Sequence, residues 1–109
     1  MNIPAEEEIQ ELHSGICSAL ADPKRIMILY ALGEENYNVT GLAESLHIPQ
    51  PTASRHLKIL RDRGLVNHQR EGTNVVYSLA DRRLIQALDT LRGVLRRVYA
   101  RRTHAIEGD

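Results

Sequence analysis

The chain has no tryptophan and no phenylalanine, and its aromatic complement is four tyrosines. Proteins that grip single-stranded nucleic acid stack bases on aromatic platforms, and here that equipment is scarce. There is one cysteine, Cys17, so no disulfide can close within the chain. A lone thiol suits a reducing, cytoplasmic setting. No stretch approaches the roughly 18–20 apolar residues that a membrane span needs. The opening MNIPAEEEIQEL is acidic and has neither a basic n-region nor an apolar h-region, so it does not read as a secretory leader. Internal repeats and low-complexity linkers are also missing.

What is present is ordinary for a folded domain. Hydrophobic residues make up 42% of the 109 positions and charged residues 26%. One domain over 1–109 with a modest core is the expectation. The net charge of zero hides a polarity. Residues 1–50 carry two basic side chains, Lys24 and Arg25, against eight acidic ones, whereas residues 51–109 carry twelve basic and six acidic. Such asymmetry points weakly to nucleic acid, since it also describes a solvated helical surface.

Periodicity predicts a helix over residues 5–21, with Ile9, Leu12, Ile16 and Leu20 on one face. Asp22 suits an N-cap and Pro23 the first position of a second helix. That helix runs to about Leu32, with Ile26, Leu29 and Tyr30 toward the core, and Gly33 reads as its stop. A connection with a short extended piece at Tyr37–Val39 follows. Asn38 or Thr40 caps a third helix through Leu46, which packs by Leu42, Ala43 and Leu46. His47-Ile48-Pro49 is a turn, because Pro49 disfavours helical geometry at Ile48. A fourth helix spans about Gln50 to Arg63 and Gly64 ends it. LVNHQR and NVVYSL are β-prone runs joined through Glu71-Gly72-Thr73, a credible hairpin. Asp81 caps a long last helix to about Arg102, and Thr103–Asp109 reads as a frayed tail.

This order is that of a winged helix-turn-helix: mainly α with a small β-hairpin wing. The helix-turn-helix falls at about 40–63, the wing at about 66–79, and candidate dimerisation helices at about 5–21 and 81–102. On the fourth helix Ala53, Leu57 and Leu60 share a core face, while Pro51, Ser54, Arg55 and Lys58 fall opposite. Gln50 and Thr52 sit at its N-terminal end, where a recognition helix reads bases. Gln can bond bidentately to adenine, Arg to guanine, and Ser or Thr to bases or phosphates. Few aromatics favour a duplex over a single strand. Thr40 in the third helix, His56 beside the reading face, and Arg70 and Asn74 flanking Gly72 in the wing complete the candidate DNA contacts. Wing contacts position the protein rather than specify sequence. The bland alternative is an amphipathic surface helix with a solvated polar face.

The stretches LADPKRIMILYAL, LAESLHIPQPTASRHLKILRDRGLV and REGTNVVYSL resemble the ArsR/SmtB family of winged-helix repressors. The resemblance covers about Ile16 to Leu88. It implies a homodimer joined through the first and last helices, bound to a two-fold operator on double-stranded DNA and released by an inducer. The apolar band of the last helix (Leu84, Ile85, Leu88, Leu91, Val94, Leu95, Val98 and Tyr99) supports the dimer independently, since a chain this small struggles to bury it.

The resemblance also implies where metal ligands would stand. A cysteine site in the third helix is absent from NYNVTGLAESL. At the last-helix site Asp81 remains, but the other positions hold Arg83, Val94 and Arg97. A guanidinium is not a metal ligand, so neither site survives, and no cofactor is expected. His13 and Cys17 lie four apart on the first helix and are the candidate sensor residues. They would supply half of a four-ligand soft-metal site with a dimer supplying the rest, or a redox-active thiol. His104 is a conceivable further ligand. The plainer reading makes Cys17 a small buried residue and His13 a surface one. An organic or protein inducer stays open. A protein-interaction module on the same fold is the alternative from another class. An enzyme is not expected, since there is no Gly-rich phosphate loop, zinc-protease helix or nucleophile elbow.

Overall fold

The computed structural model describes residues 2–108, with side chains through Thr103. In chain order the elements are α1 (Glu6–Glu11), a π-helical continuation (Leu12–Cys17), α2 (Pro23–Glu34), α3 (Val39–Leu46), α4 (Gln50–Asp62), β1 (Val66–Glu71), β2 (Asn74–Leu79) and α5 (Arg83–Gly108). The fold is a winged helix-turn-helix. No helix among the described residues is long and apolar enough to cross a membrane.

The first helix departs from the uniform helix expected over 5–21. Its middle opens into a π-helix because other donors compete for the carbonyls there. The Arg63 guanidinium takes the carbonyls of Ser14 and Gly15, and the Ser18 hydroxyl also donates to Ser14. Its apolar stripe divides as well: Ile16 and Leu20 pack on the core with Ala19, whereas Ile9 and Leu12 face outward.

At the head of α2 the Asp22 carboxylate accepts from the amides of Lys24 (2.8 Å) and Arg25 (3.4 Å), with Pro23 as the first helical residue. Gly33 is not the stop that its type suggested, because α2 passes through it to Glu34. It serves a close approach instead: a Cβ at Gly33 would stand 3.2 Å from Ile85 Cγ1 of α5. The Tyr30 hydroxyl donates to Asp89 at 2.6 Å, a second tie between these two helices.

Asn38, rather than Thr40, caps α3, its side chain accepting from the Gly41 amide at 2.8 Å. The extended piece expected at Tyr37–Val39 is a single bridge. Tyr37 and Tyr77 exchange backbone hydrogen bonds of 3.2 and 2.7 Å, which fastens the α2–α3 connection to the wing. The strands pair antiparallel from Val66 opposite Leu79 to Glu71 opposite Asn74. Glu71 therefore belongs to β1, and the connection is the two residues Gly72-Thr73, with Gly72 at φ 65°. A two-residue hairpin needs that left-handed geometry, which glycine adopts without cost.

Ile28, Leu29, Leu42, Leu57, Leu60 and Val66 are fully buried and join four elements into one core. Of the contacts expected from α2, Leu29 lies inside, while Ile26 and Tyr30 pack half-buried on the flank toward α5. Leu88 anchors α5 to this core. The last helix extends beyond Arg102 through the segment expected to fray, as far as Gly108, and Asp109 lies outside the described residues. Along it Leu91, Val94 and Leu95 are 59%, 55% and 47% exposed, with Val98 and Tyr99 continuing the strip.

Candidate nucleic-acid interface

The site is built on the corner between α3 and α4. His47 closes α3 in the left-handed conformation (φ 56°), and the amides of His47 and Ile48 reach back to the carbonyls of Glu44 (3.3 Å) and Ala43 (3.0 Å). Such a residue satisfies the last carbonyls of a helix and reverses the chain at once. Pro49 then stands as N-cap of α4 and Pro51 falls in its first turn. Pro49 offers no side-chain acceptor, so the amides of Gln50 and Thr52 open the helix without a cap.

Ala53, Leu57 and Leu60 turn inward and are fully buried. Their burial fixes the rotation of α4, and this puts Gln50, Pro51, Ser54, Arg55 and Lys58 on the exposed side. Thr52 and His56 are half-buried on the flanks. Arg55 Nη2 lies 3.4 Å from the Thr52 hydroxyl. Lys58 is not free in this state: its Nζ sits 3.0 Å from Asp62, and the Lys58 hydrogen bond holds that carboxyl below its ordinary range. An exposed pair of this spacing is weak, so a phosphate can compete for the lysine. Thr40 is exposed in the first turn of α3. Arg70, opposite Val75, and Asn74, opposite Glu71, are both exposed beside the wing turn. Glu71 at the same tip is a carboxylate that the sequence reading did not weigh.

Two residues missing from that reading hold the site in place. Arg25 Nε donates to the Ala19 carbonyl at 2.7 Å, and its terminal nitrogens reach the Ser18 carbonyl and His56 Nδ1, each at 3.4 Å. Arg63 at the end of α4 donates to the Gly15 carbonyl at 2.9 Å. The only sequence signal was Arg25's place in Asp-Pro-Lys-Arg. Neither contact leaves a periodic trace, because each spans elements distant along the chain.

The candidate sensor residues stand apart from this surface. His13 and Cys17 lie on the π-helical stretch and are both exposed, which corrects the expectation that Cys17 is buried. The helix there packs inward with Ile16, Ala19 and Leu20, leaving Cys17 on the outer side. No three His, Cys, Asp or Glu side chains gather as a ligand group among the described residues; the side chain of His104 lies outside them. At Asp81 the Arg83 guanidinium stands 2.7 Å from the carboxylate. That hydrogen bond, with the Arg83 amide at 2.9 Å, lowers the carboxyl to about 2.

Residues 22–68 match the model of a family described as bacterial regulatory protein, arsR family. The nodulation protein NolR of Rhizobium meliloti is 34% identical over 104 residues, covering 95% of this chain and 82% of that protein. The chain belongs to the ArsR family. The HTH-type transcriptional repressor SmtB of Mycobacterium tuberculosis is 43% identical to this ArsR chain over 81 residues, 74% of it. That match spans only 60% of SmtB's own length. Among solved structures, the homodimeric winged helix-turn-helix DNA-binding domain Mb0332 of Mycobacterium bovis is similar with a TM-score of 0.72 and 26% identity. It covers 87% of this chain and 90% of that one. The family match runs from the head of α2 to the start of the wing and takes in the α3–α4 corner.

Proposed function

We propose that this protein is a homodimeric, sequence-specific duplex-DNA-binding transcriptional regulator, acting in the cytoplasm as a repressor released by an inducer, and not an enzyme. The observation that carries the reading is the outer face of α4. Gln50, Ser54 and Arg55 project from a helix whose rotation is locked by three fully buried residues, beside an uncapped N-terminus. Exposed side chains at the start of such a helix suit base edges in the major groove, and its free amides suit a phosphate. Arg70 and Asn74, exposed beside the wing turn, would meet the DNA backbone next to it. A dimer would set two such helices about 34 Å apart, one turn of duplex. The name of SmtB, a transcriptional repressor, and the description of Mb0332 as a homodimeric DNA-binding domain agree with this. The apolar exposed patch that a protein-docking module would need is lacking on α4, which sets that alternative aside.

The test is binding to a duplex from upstream of the protein's own gene over a range of salt. Affinity should fall linearly on logarithmic axes, as phosphate contacts release counterions. Arg55→Ala should cost about 1–3 kcal/mol of specific binding, and Arg101→Ala, far along α5, much less. Equal losses would remove α4 as the reading element.

A further inference from the structure

Arg25 connects three elements, and its geometry determines the state of a histidine on the recognition helix. Its side chain is only 14% exposed, although it is charged. Nε donates to the Ala19 carbonyl at 2.7 Å and Nη2 to the Ser18 carbonyl at 3.4 Å, both at the end of the first helix. Nη1 stands 3.4 Å from His56 Nδ1 and 3.9 Å from the Asp22 carboxylate. A guanidinium has donors and no acceptor, and it does not deprotonate in proteins. In this contact His56 Nδ1 must therefore be the acceptor. An imidazole that accepts at Nδ1 carries its single proton on Nε2.

We propose that Arg25 is a positioning residue for DNA binding, holding His56 as the neutral Nε2–H tautomer so that α4 presents an uncharged N–H donor to a phosphate oxygen of the duplex. The inference rests on the reading of α4 as the DNA-contacting helix. His56 is half-buried on the flank of that helix, between its core face and the Ser54–Arg55 side. Flanking residues of a helix seated in the groove meet the backbone rather than the base edges.

The surroundings favour the neutral ring. Partial burial pushes the His56 pKa down, and the charges of Arg25, Lys24 and Arg55 act the same way, against the Asp22 carboxylate. At the end of the first helix the carbonyls of Ser18 and Ala19 are taken by Arg25, which stands between them and the ring. Protonation would place a second cation against Nη1 and remove the acceptor. Lysine cannot replace this residue, since one ammonium lacks the planar fork that spans two carbonyls and a ring.

Two measurements on the full chain decide the matter. Imidazole nitrogen–proton correlation spectra of the free, nitrogen-15-labelled protein at about pH 7 should show His56 with bare Nδ1 and protonated Nε2. A Nδ1–H or cationic ring would overturn the assignment, whatever the protein binds. Operator affinity is then compared for His56→Gln and His56→Asn. A glutamine amide reaches about where Nε2 lies and should keep affinity within about threefold with an unchanged salt slope, since no cation is lost. Asparagine reaches only the Nδ1 position and should lose about tenfold, a free-energy difference of about 1.4 kcal/mol. Arg25→Lys should cost as much in the wild-type background but little beside His56→Gln. Equal losses for Gln and Asn, or additive losses in the double variant, refute the positioning role. Failure of the wild type to bind any upstream duplex refutes instead the reading of α4 on which it rests.

Discussion

The guanidinium of Arg63, C-cap of α4, donates to the carbonyl of Gly15 at 2.9 Å, inside the π-helical stretch of the first helix. The same Nη1 also takes the Ser14 carbonyl and the Ser18 hydroxyl. The end of α4 is thereby fastened to an element whose outer residues, Ile9 and Leu12, are free to meet another subunit. Arg63 holds carbonyls within the π-helical stretch, and Arg25 holds those of Ser18 and Ala19 just after it. Arg63→Met should return the segment toward regular helix and loosen its hold on α4. Amide hydrogen exchange over Ser14–Leu20 should quicken at least about tenfold, since the substitution removes the charge-assisted bonds to Ser14, Gly15 and Ser18 together. Unchanged exchange would mean that packing by Ile16 and Leu20 holds the segment without the arginine.

Gly33 gives a test of the α2–α5 contact. Alanine there would gain up to about 1 kcal/mol of helix propensity, offset by a Cβ 3.2 Å from Ile85 Cγ1. Gly33→Ala should come out close to neutral in denaturant unfolding. Gly33→Val adds bulk where Ile85 has no room and should cost about 1–3 kcal/mol. A neutral valine variant would show that α5 can shift away freely.

The helix-turn-helix and wing were legible in the sequence and the couplings between elements were not, for a physical reason. Ala53, Leu57 and Leu60 recur at helical spacing, so the inner face of α4, and with it the outer one, follows from local order. The turn at His47-Ile48-Pro49 and the hairpin at Gly72 follow likewise from local backbone chemistry. Gly33 misled because a glycine suited to helix termination also serves where another helix comes close. The π-turn left no periodic mark, since it depends on Arg63, 48 residues away. Cys17 misled because burial by residue type is a tendency, while its helix position faces outward.

Asp81 predicts an acid response. The Arg83 guanidinium and amide hold its carboxyl at about 2, well below the ordinary carboxylate range. A carboxyl depressed on folding stabilises the native state fully above its unfolded pKa and loses that contribution as pH falls through the folded one. Asp81→Asn should therefore unfold at lower denaturant than wild type at neutral pH, with the gap closing between about pH 4 and pH 2. A constant gap across that window would mean that the charge of the carboxylate contributes nothing and that the substitution acts through a pH-independent contact. No three ligand-type side chains gather at Asp81 among the described residues, so zinc should leave the Asp81 titration unmoved.

The exposed strip on α5 gives the last test. Leu91, Val94 and Leu95 turn toward solvent in one protomer, while Leu88, one turn before Leu95's neighbours, is buried. A helix that keeps aliphatic side chains exposed in a row through Val98 and Tyr99 calls for a covering surface. Ile9 and Leu12 of the first helix offer matching apolar area on another copy. Leu95→Glu would put an unpaired carboxylate into that seam, at a cost of several kcal/mol if it is fully desolvated. Sedimentation should then report a monomer with unchanged helix content, because Leu95 lies outside the protomer core. Operator affinity should fall by more than tenfold, since a single recognition helix reads one half-site. A variant that stays dimeric would move the subunit contact to the first helix and leave the α5 strip to another partner.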